Sequence, residues 1–142
     1  MERRVADVMH EGVISCHADT LIPEVAGLMR DHQISAVVIV DVENNLQGII
    51  TQTDMVKTFN IKHFERRPWN LLAEHVMTPN VVTTTPDVTL EEASDLMTER
   101  RIHRLVVVKK SARTKPIGIC SMTDIVRAMA GSSPEDEDVA QG

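Results

Sequence analysis

Gly118-Ile119-Cys120-Ser121-Met122-Thr123-Asp124 has a counterpart earlier in the chain, Gly48-Ile49-Ile50-Thr51-Gln52-Thr53-Asp54. Each reads Gly, two apolar residues, a hydroxyl residue, one variable residue, Thr and Asp. Each runs on into an apolar pair, Ile125-Val126 or Met55-Val56. The pattern describes a strand that ends in hydroxyl groups and turns into a helix. Two kinds of chemistry use such a turn. Ser, Thr or Asp at a helix start accepts a hydrogen bond from a backbone N–H that the helix leaves without a partner. The same amides and hydroxyls suit a phosphate, and a carboxylate can accept hydrogen bonds from both hydroxyls of a ribose. Capping does not need the whole seven-residue pattern, so its recurrence points to a polar ligand.

Working outward, the twin stretches belong to a longer repeat. Val8-Met9 through Ser15 aligns with Val76-Met77 through Thr83, Asp19 with Asp87, Leu28-Met29 with Leu96-Met97, and Ile34 with Ile102. The apolar run Val37–Val40 aligns with Leu105–Val108, after which the second copy carries a longer turn, 109–116 against 41–45. The chain is two copies of one unit, over 5–58 and 73–130. This gives a first domain at 1–59, a linker at 60–71, a second domain at 72–131 and an acidic tail at 132–142 that is expected to be disordered.

Each copy reads as strand–helix–strand–strand–helix, a mixed α/β chain of the α+β class. Val13–Cys16 is a short strand. Asp19-Thr20 can cap the next helix, with Pro23 tolerated in its first turn. Ile22, Val25, Ala26 and Met29 fall on one helical stripe. Ala36–Val40 is too short and too β-branched for a helix and reads as a strand buried on both faces. Glu43-Asn44-Asn45 is turn chemistry, so Leu46–Thr51 should pair antiparallel with it. The following helix should carry Met55, Val56 and Phe59 inward. In the linker, Pro68 argues against one continuous helix, and Trp69 is expected to cover a core edge. In the second copy Thr89–Glu92 is a capping box, Leu90, Ala93 and Met97 form the buried stripe, and the basic turn 109–115 should be solvated.

Composition limits the function classes. The chain of 142 residues is 42% hydrophobic but only 2% aromatic, so its core must be aliphatic. A net charge of −6 argues against a general nucleic-acid binder. No apolar stretch is long enough to span a bilayer. The charged start, Glu2-Arg3-Arg4, does not read as a signal peptide, which makes the cytoplasm the expected compartment. Cys16 and Cys120 lie in apolar contexts and read as buried free thiols. The histidines show no compact metal spacing, and no nucleophile–base pair stands out. No catalytic residue and no metal ligand is therefore assigned.

Val76-Met77-Thr78-Pro79, the run Ile102-His103-Arg104-Leu105-Val106-Val107-Val108, and the two Gly…Thr-Asp stretches resemble a tandem pair of CBS domains, a Bateman module. The resemblance implies two β-α-β-β-α repeats packed through their sheets about a pseudo-twofold axis, with two clefts between them. It implies AMP, ADP, ATP or S-adenosylmethionine as regulatory ligand rather than a catalytic cofactor. It also implies a homodimer that regulates an associated enzyme or transporter.

Carried over residue by residue, Asp54 and Asp124 match the ribose-binding Asp. Thr53 and Thr123, with Thr51 and Ser121, match the neighbouring hydroxyls. Arg104 matches a phosphate contact, with His103 beside it. The first copy has Ser35 and Ala36 there instead, which departs from the basic pattern. The resemblance sets Asp54 with His103 and Arg104, and Asp124 with Ser35, so the pocket of Asp54 is expected to be the better phosphate site. Val13-Ile14 and Val81-Val82 match the adenine edge. Ile50 and Cys120 would wall an apolar purine slot, where Gly48 and Gly118 let backbone approach closely. The module is thus expected to sense an adenosine-containing ligand. The alternative is a ligand-free dimerising scaffold, and an enzyme is the least supported class.

Overall fold

The computed structural model describes residues 2–60 and 68–131. In chain order the elements are α1 (Val5–Val8), β1 (His10–Glu11), β2 (Ser15–Cys16), α2 (Ile22–His32), β3 (Ala36–Val40), β4 (Leu46–Thr51), α3 (Gln52–Lys57), α4 (Ala73–Val76), β5 (Thr83–Thr84), α5 (Leu90–Arg100), β6 (Arg104–Lys109), β7 (Ala112–Ser121) and α6 (Met122–Met129). Short 3-10 turns cover Thr58–Asn60 and Pro68–Asn70. This is the expected mixed α+β chain with its strand–helix–strand–strand–helix order present twice. Part of the linker and the acidic tail lie outside the described residues.

The chain forms two compact units, and they cross the boundaries of the sequence repeats. One unit joins the N-terminal segment through Gly12 to the chain from Val82 onward; the other spans Val13–Val81. The lead-in of each repeat therefore packs in the unit of the other. In the first unit Val5 and Val8 of α1 share a core with Ala93, Met97, Leu105, Val107, Cys120 and Ile125. In the second, Ala73 of α4 shares a core with Ile22, Val25, Met29, Val37, Ile39, Ile50 and Leu71. Four-residue helices are far below the length that stands alone in water. Burial of Val5 and Val8, both 0% exposed, is what holds α1, at roughly 1.5–3 kcal/mol for each side chain.

The first unit has a four-stranded sheet in the order β1-β7-β6-β5, the second a three-stranded sheet β2-β3-β4. In both, the first strand of the repeat runs parallel to the apolar strand, which pairs antiparallel with the strand carrying the motif. All five residues of β3 are buried, as are Leu105–Val108 of β6. The expected two-faced burial of these runs is observed.

The two motif glycines explain how the lead-ins reach the sheets. A Cβ on Gly118 would lie 2.5 Å from the carbonyl oxygen of His10. One on Gly48 would lie 2.6 Å from Met77 Sδ and 3.1 Å from the carbonyl oxygen of Thr78. The backbone that approaches these glycines is the chain's own lead-in. His10 pairs with Ile119 in β7. Thr78 exchanges both backbone hydrogen bonds with Ile49, at 2.9 and 3.1 Å.

Several local expectations are corrected. Asp19 and Thr20 do not cap α2: the cap residue is Leu21 without a side-chain bond, and the Thr20 hydroxyl accepts the His17 N–H at 3.2 Å. Ala26 is exposed while Leu28 packs on the core, so the buried stripe is displaced from that reading. After α3 the chain tightens into a 3-10 turn. Thr58, three residues past Met55, takes the buried place, and its hydroxyl donates to the Met55 carbonyl at 2.7 Å. Val56, still within α3, faces outward at 63% exposure, and past the turn Phe59 does so at 69%. Trp69 is half exposed and meets Phe59 edge to face, with centroids 6.4 Å apart. It is Leu71, 1% exposed, that fills the core at this point. The basic turn is also tighter than expected: β7 starts at Ala112, paired with Lys109, and register shifts absorb the extra residues. Lys110 bonds Asp87 at 3.0 Å, which, after the Thr85 hydroxyl, helps hold the Asp87 carboxyl down at about 2.

Candidate functional site

Both motifs end a strand and start a helix, as the seven-residue pattern requires. Thr51 is the cap residue of α3. Its Oγ1 accepts the Asp54 N–H at 3.3 Å, and its own N–H donates to Asp54 Oδ2 at 2.8 Å. The Thr51 hydroxyl also donates to that oxygen, at 3.0 Å. Ser121 caps α6 in the same way, with Asp124 N–H to Ser121 Oγ at 3.2 Å and Ser121 N–H to Asp124 Oδ2 at 2.8 Å. Each Asp thus spends one carboxylate oxygen, Oδ2, on a reciprocal cap. The capping reading is realised twice, and the ligand reading concerns the other oxygen, Oδ1.

At Asp124 that oxygen is in an unusual position. The residue is 1% exposed. Oδ1 lies 2.9 Å from His10 Nε2 and 3.8 Å from Arg127 NH1. Despite that proximity Oδ1 is left without a hydrogen bond. A buried polar atom in that state is costly unless something else satisfies it. Asp54 is only half-buried. Its cap is otherwise the same, and in its unit the lead-in residue at the place of His10 is Thr78, bridged to Ile49 as His10 is to Ile119.

The remaining site residues fall at equivalent places in the two units. Thr53 and Thr123 are exposed in the first turns of α3 and α6. The His103 carbonyl accepts the Met122 N–H at 2.8 Å, and Arg104 stands across the ladder from Ser121. The Ser35 carbonyl accepts the Gln52 N–H at 3.0 Å, and Ala36 stands across from Thr51. Val13, Ile14, Val81 and Val82 are half-buried in the segments leading into β2 and β5. The carbonyls of Ile14 and Val82 already accept the N–H groups of Val38 and Val106, at 3.0 and 3.4 Å. The side chains of Ile50 and Cys120 are wholly buried in the two cores. Burial, and then the charge of Asp124, push the Cys120 thiol up to about 12, so it stays protonated and is no nucleophile.

Sequence reading did not single out His10 or Arg127. Arg127 was findable, since it lies three residues from Asp124 on one helix. His10 was not, because only the exchange of lead-ins brings it there. A shallow depression lined by Pro86, Asp87, Lys109, Lys110, Ser111 and Ile117 contains no motif residue. Among the described residues no helix is long and apolar enough to cross a membrane.

Comparison with known proteins accords with this geometry. The model of the CBS domain matches residues 5–60 and again 73–131. An uncharacterized protein of Methanopyrus kandleri, MK0525, is 33% identical over 123 residues, 87% of this chain and 61% of its own length. The inosine-5′-monophosphate dehydrogenase of Methanocaldococcus jannaschii is 33% identical over 125 residues, covering 88% of this chain but 23% of the dehydrogenase. The chain thus spans about three fifths of the first relative and under a quarter of the second. Among solved structures, the CBS domain pair of protein MJ0100, in complex with 5′-methylthioadenosine and S-adenosyl-L-methionine, superposes with a TM-score of 0.82 at 27% identity, over 92% of this chain and 98% of that one. With two matched copies, each holding the same capped strand-to-helix turn, the chain belongs to the CBS domain family.

Proposed function

We propose that the protein is a regulatory module that binds an adenosine-containing ligand through the turns Thr51–Asp54 and Ser121–Asp124 and signals its occupancy to a partner protein. The observation that carries this reading is the buried Asp124 carboxylate, whose Oδ1 has no hydrogen bond while Oδ2 is fixed in the cap. A sugar hydroxyl is a donor of the right kind to satisfy it. The complex of the MJ0100 pair with 5′-methylthioadenosine and S-adenosyl-L-methionine supports adenosyl compounds as the ligand class. AMP, ADP and ATP share the same sugar and are candidates alongside them. Exposed Thr53 and Thr123 and the basic residues His103 and Arg104 supply further donors for a ribose or a phosphate.

A thermal-shift screen of AMP, ADP, ATP, NAD, 5′-methylthioadenosine and S-adenosylmethionine tests the reading. A ligand at about 100 times its dissociation constant adds about 2.7 kcal/mol to stability, which raises Tm by several degrees. Asp124→Ala or Asp54→Ala should remove one binding event each in calorimetry. Arg104→Ala should weaken AMP and ATP more than methylthioadenosine, by roughly tenfold for one charged hydrogen bond. No shift with any of the six compounds would exclude the reading in favour of a ligand-free scaffold. The scaffold has its own support in the exposed apolar residues Met122, Val126 and Met129 of α6.

A further inference from the structure

We propose that His10 competes with the ligand for Oδ1 of Asp124, so that the protein's own lead-in closes this site as the imidazole becomes charged. The inference rests on the adenosyl-binding reading and adds to it a residue and a regulation. Asp124 is 1% exposed and His10 is 57% exposed at its side chain, with Nε2 2.9 Å from Oδ1. A solvent-facing ring therefore stands beside a buried carboxylate oxygen that has no hydrogen bond. A small rotation of the ring would point Nε2–H at Oδ1. When the imidazole is charged, that contact becomes a charge-assisted hydrogen bond, about twice as strong as a neutral one. A ligand hydroxyl must then displace it.

Of the charged or ionisable side chains around Asp124, His10 stands nearest to Oδ1, at 2.9 Å against 3.8 Å for Arg127. Facing Asp124 are His10 from β1, Arg127 from its own helix and the Cys120 thiol from β7. Arg127 stands farther off, with NH1 3.8 Å from Oδ1, and the Cys120 thiol, pushed up to about 12, stays neutral. At the mouth of the turn stand His103, through its carbonyl bond to Met122, and Arg104, across the ladder from Ser121. Arg3 reaches only the far end of α6, at the Ala128 carbonyl. The packed residues of α1 and α5 are apolar: Val5, Val8, Ala93 and Met97. Acid favours the charged form of an imidazole. More charged His10 means a better-occupied Oδ1, so ligand binding at Asp124 weakens toward acid. The Asp54 turn, with Thr78 in the equivalent place, lacks the device.

Two measurements on the full chain test this. The first needs no ligand. In 15N-labelled protein, Asp124→Asn should move the His10 ring nitrogen signals between about pH 5 and about pH 8 while leaving those of His17 and His32 in place. The second is calorimetry with 5′-methylthioadenosine, which carries no group that titrates in that range. The binding event abolished by Asp124→Ala should weaken about tenfold from about pH 8 to about pH 5.5. In His10→Ala and His10→Gln it should not weaken. An equal pH slope in wild type and His10→Ala overturns the inference. So does a His10 ring signal that ignores Asp124→Asn. If methylthioadenosine binds at no pH, the adenosyl reading loses this ligand, and the ring signals decide the His10–Asp124 pairing by themselves.

Discussion

A single methyl group added at Gly118 would sit 2.5 Å from the His10 carbonyl oxygen. That atom belongs to backbone and cannot swing aside as a flexible side chain could. Gly118→Ala must push β1 off β7, and with it the lead-in that carries Val5 and Val8 into the core. We expect a loss of about 1–3 kcal/mol in urea unfolding, the usual range for overpacking. Gly12→Ala serves as a contrast. Its added methyl meets nothing within 4 Å, but φ is +81°, so it should lose only about 1–2 kcal/mol of left-handed backbone strain. An unchanged midpoint for Gly118→Ala would mean the lead-in is not held against this strand. The glycine was visible in the sequence as a place of close approach. What approaches it was not, since the partner lies more than a hundred residues away.

At the scale of elements, the two eleven-residue helices end where a non-glycine residue turns left-handed. Gln33 closes α2 at φ 53° and ψ 48°, and Arg101 closes α5 at φ 55° and ψ 46°. Each N–H returns to carbonyls of the last turn, which is the left-handed termination that usually employs Gly. A side chain in this region costs about 1 kcal/mol or more relative to Gly. Gln33→Gly should therefore raise stability by roughly 0.5–1 kcal/mol with no change in the urea m-value. A loss instead would show that the Gln33 side chain holds something the backbone argument ignores. The same scale explains why the helix stripes were only partly legible. The i, i+3 and i+7 positions Ile22, Val25 and Met29 were read correctly, and so were Ala93 and Met97, because a long helix keeps its period. Phe59 was misread because α3 lasts only from Gln52 to Lys57 before the 3-10 turn changes the period.

For the whole molecule, the exposed apolar residues argue for self-association. Met122, Val126 and Met129 stand at i, i+4 and i+7 of α6, 48%, 61% and 82% exposed, so one stripe of the helix has no cover in its own unit. We expect a homodimer at micromolar concentration, and Val126→Lys with Met129→Lys should make it monomeric without loss of helix content. Light scattering checks both, and a monomer mass for the wild type ends the idea. The sequence by itself determined the repeat, the order of elements in each copy, the two-faced strands Ala36–Val40 and Leu105–Val108, and the capped turns at Thr51–Asp54 and Ser121–Asp124. Those are properties of neighbours in the chain: period, β-branching and the unpaired amides of a helix start. Only the tertiary structure decided that each lead-in packs in the unit of the other repeat. The same long-range packing set His10 against Asp124. Burial is won by whichever distant segment fits the exposed sheet edge and core, and no local pattern records which segment that is.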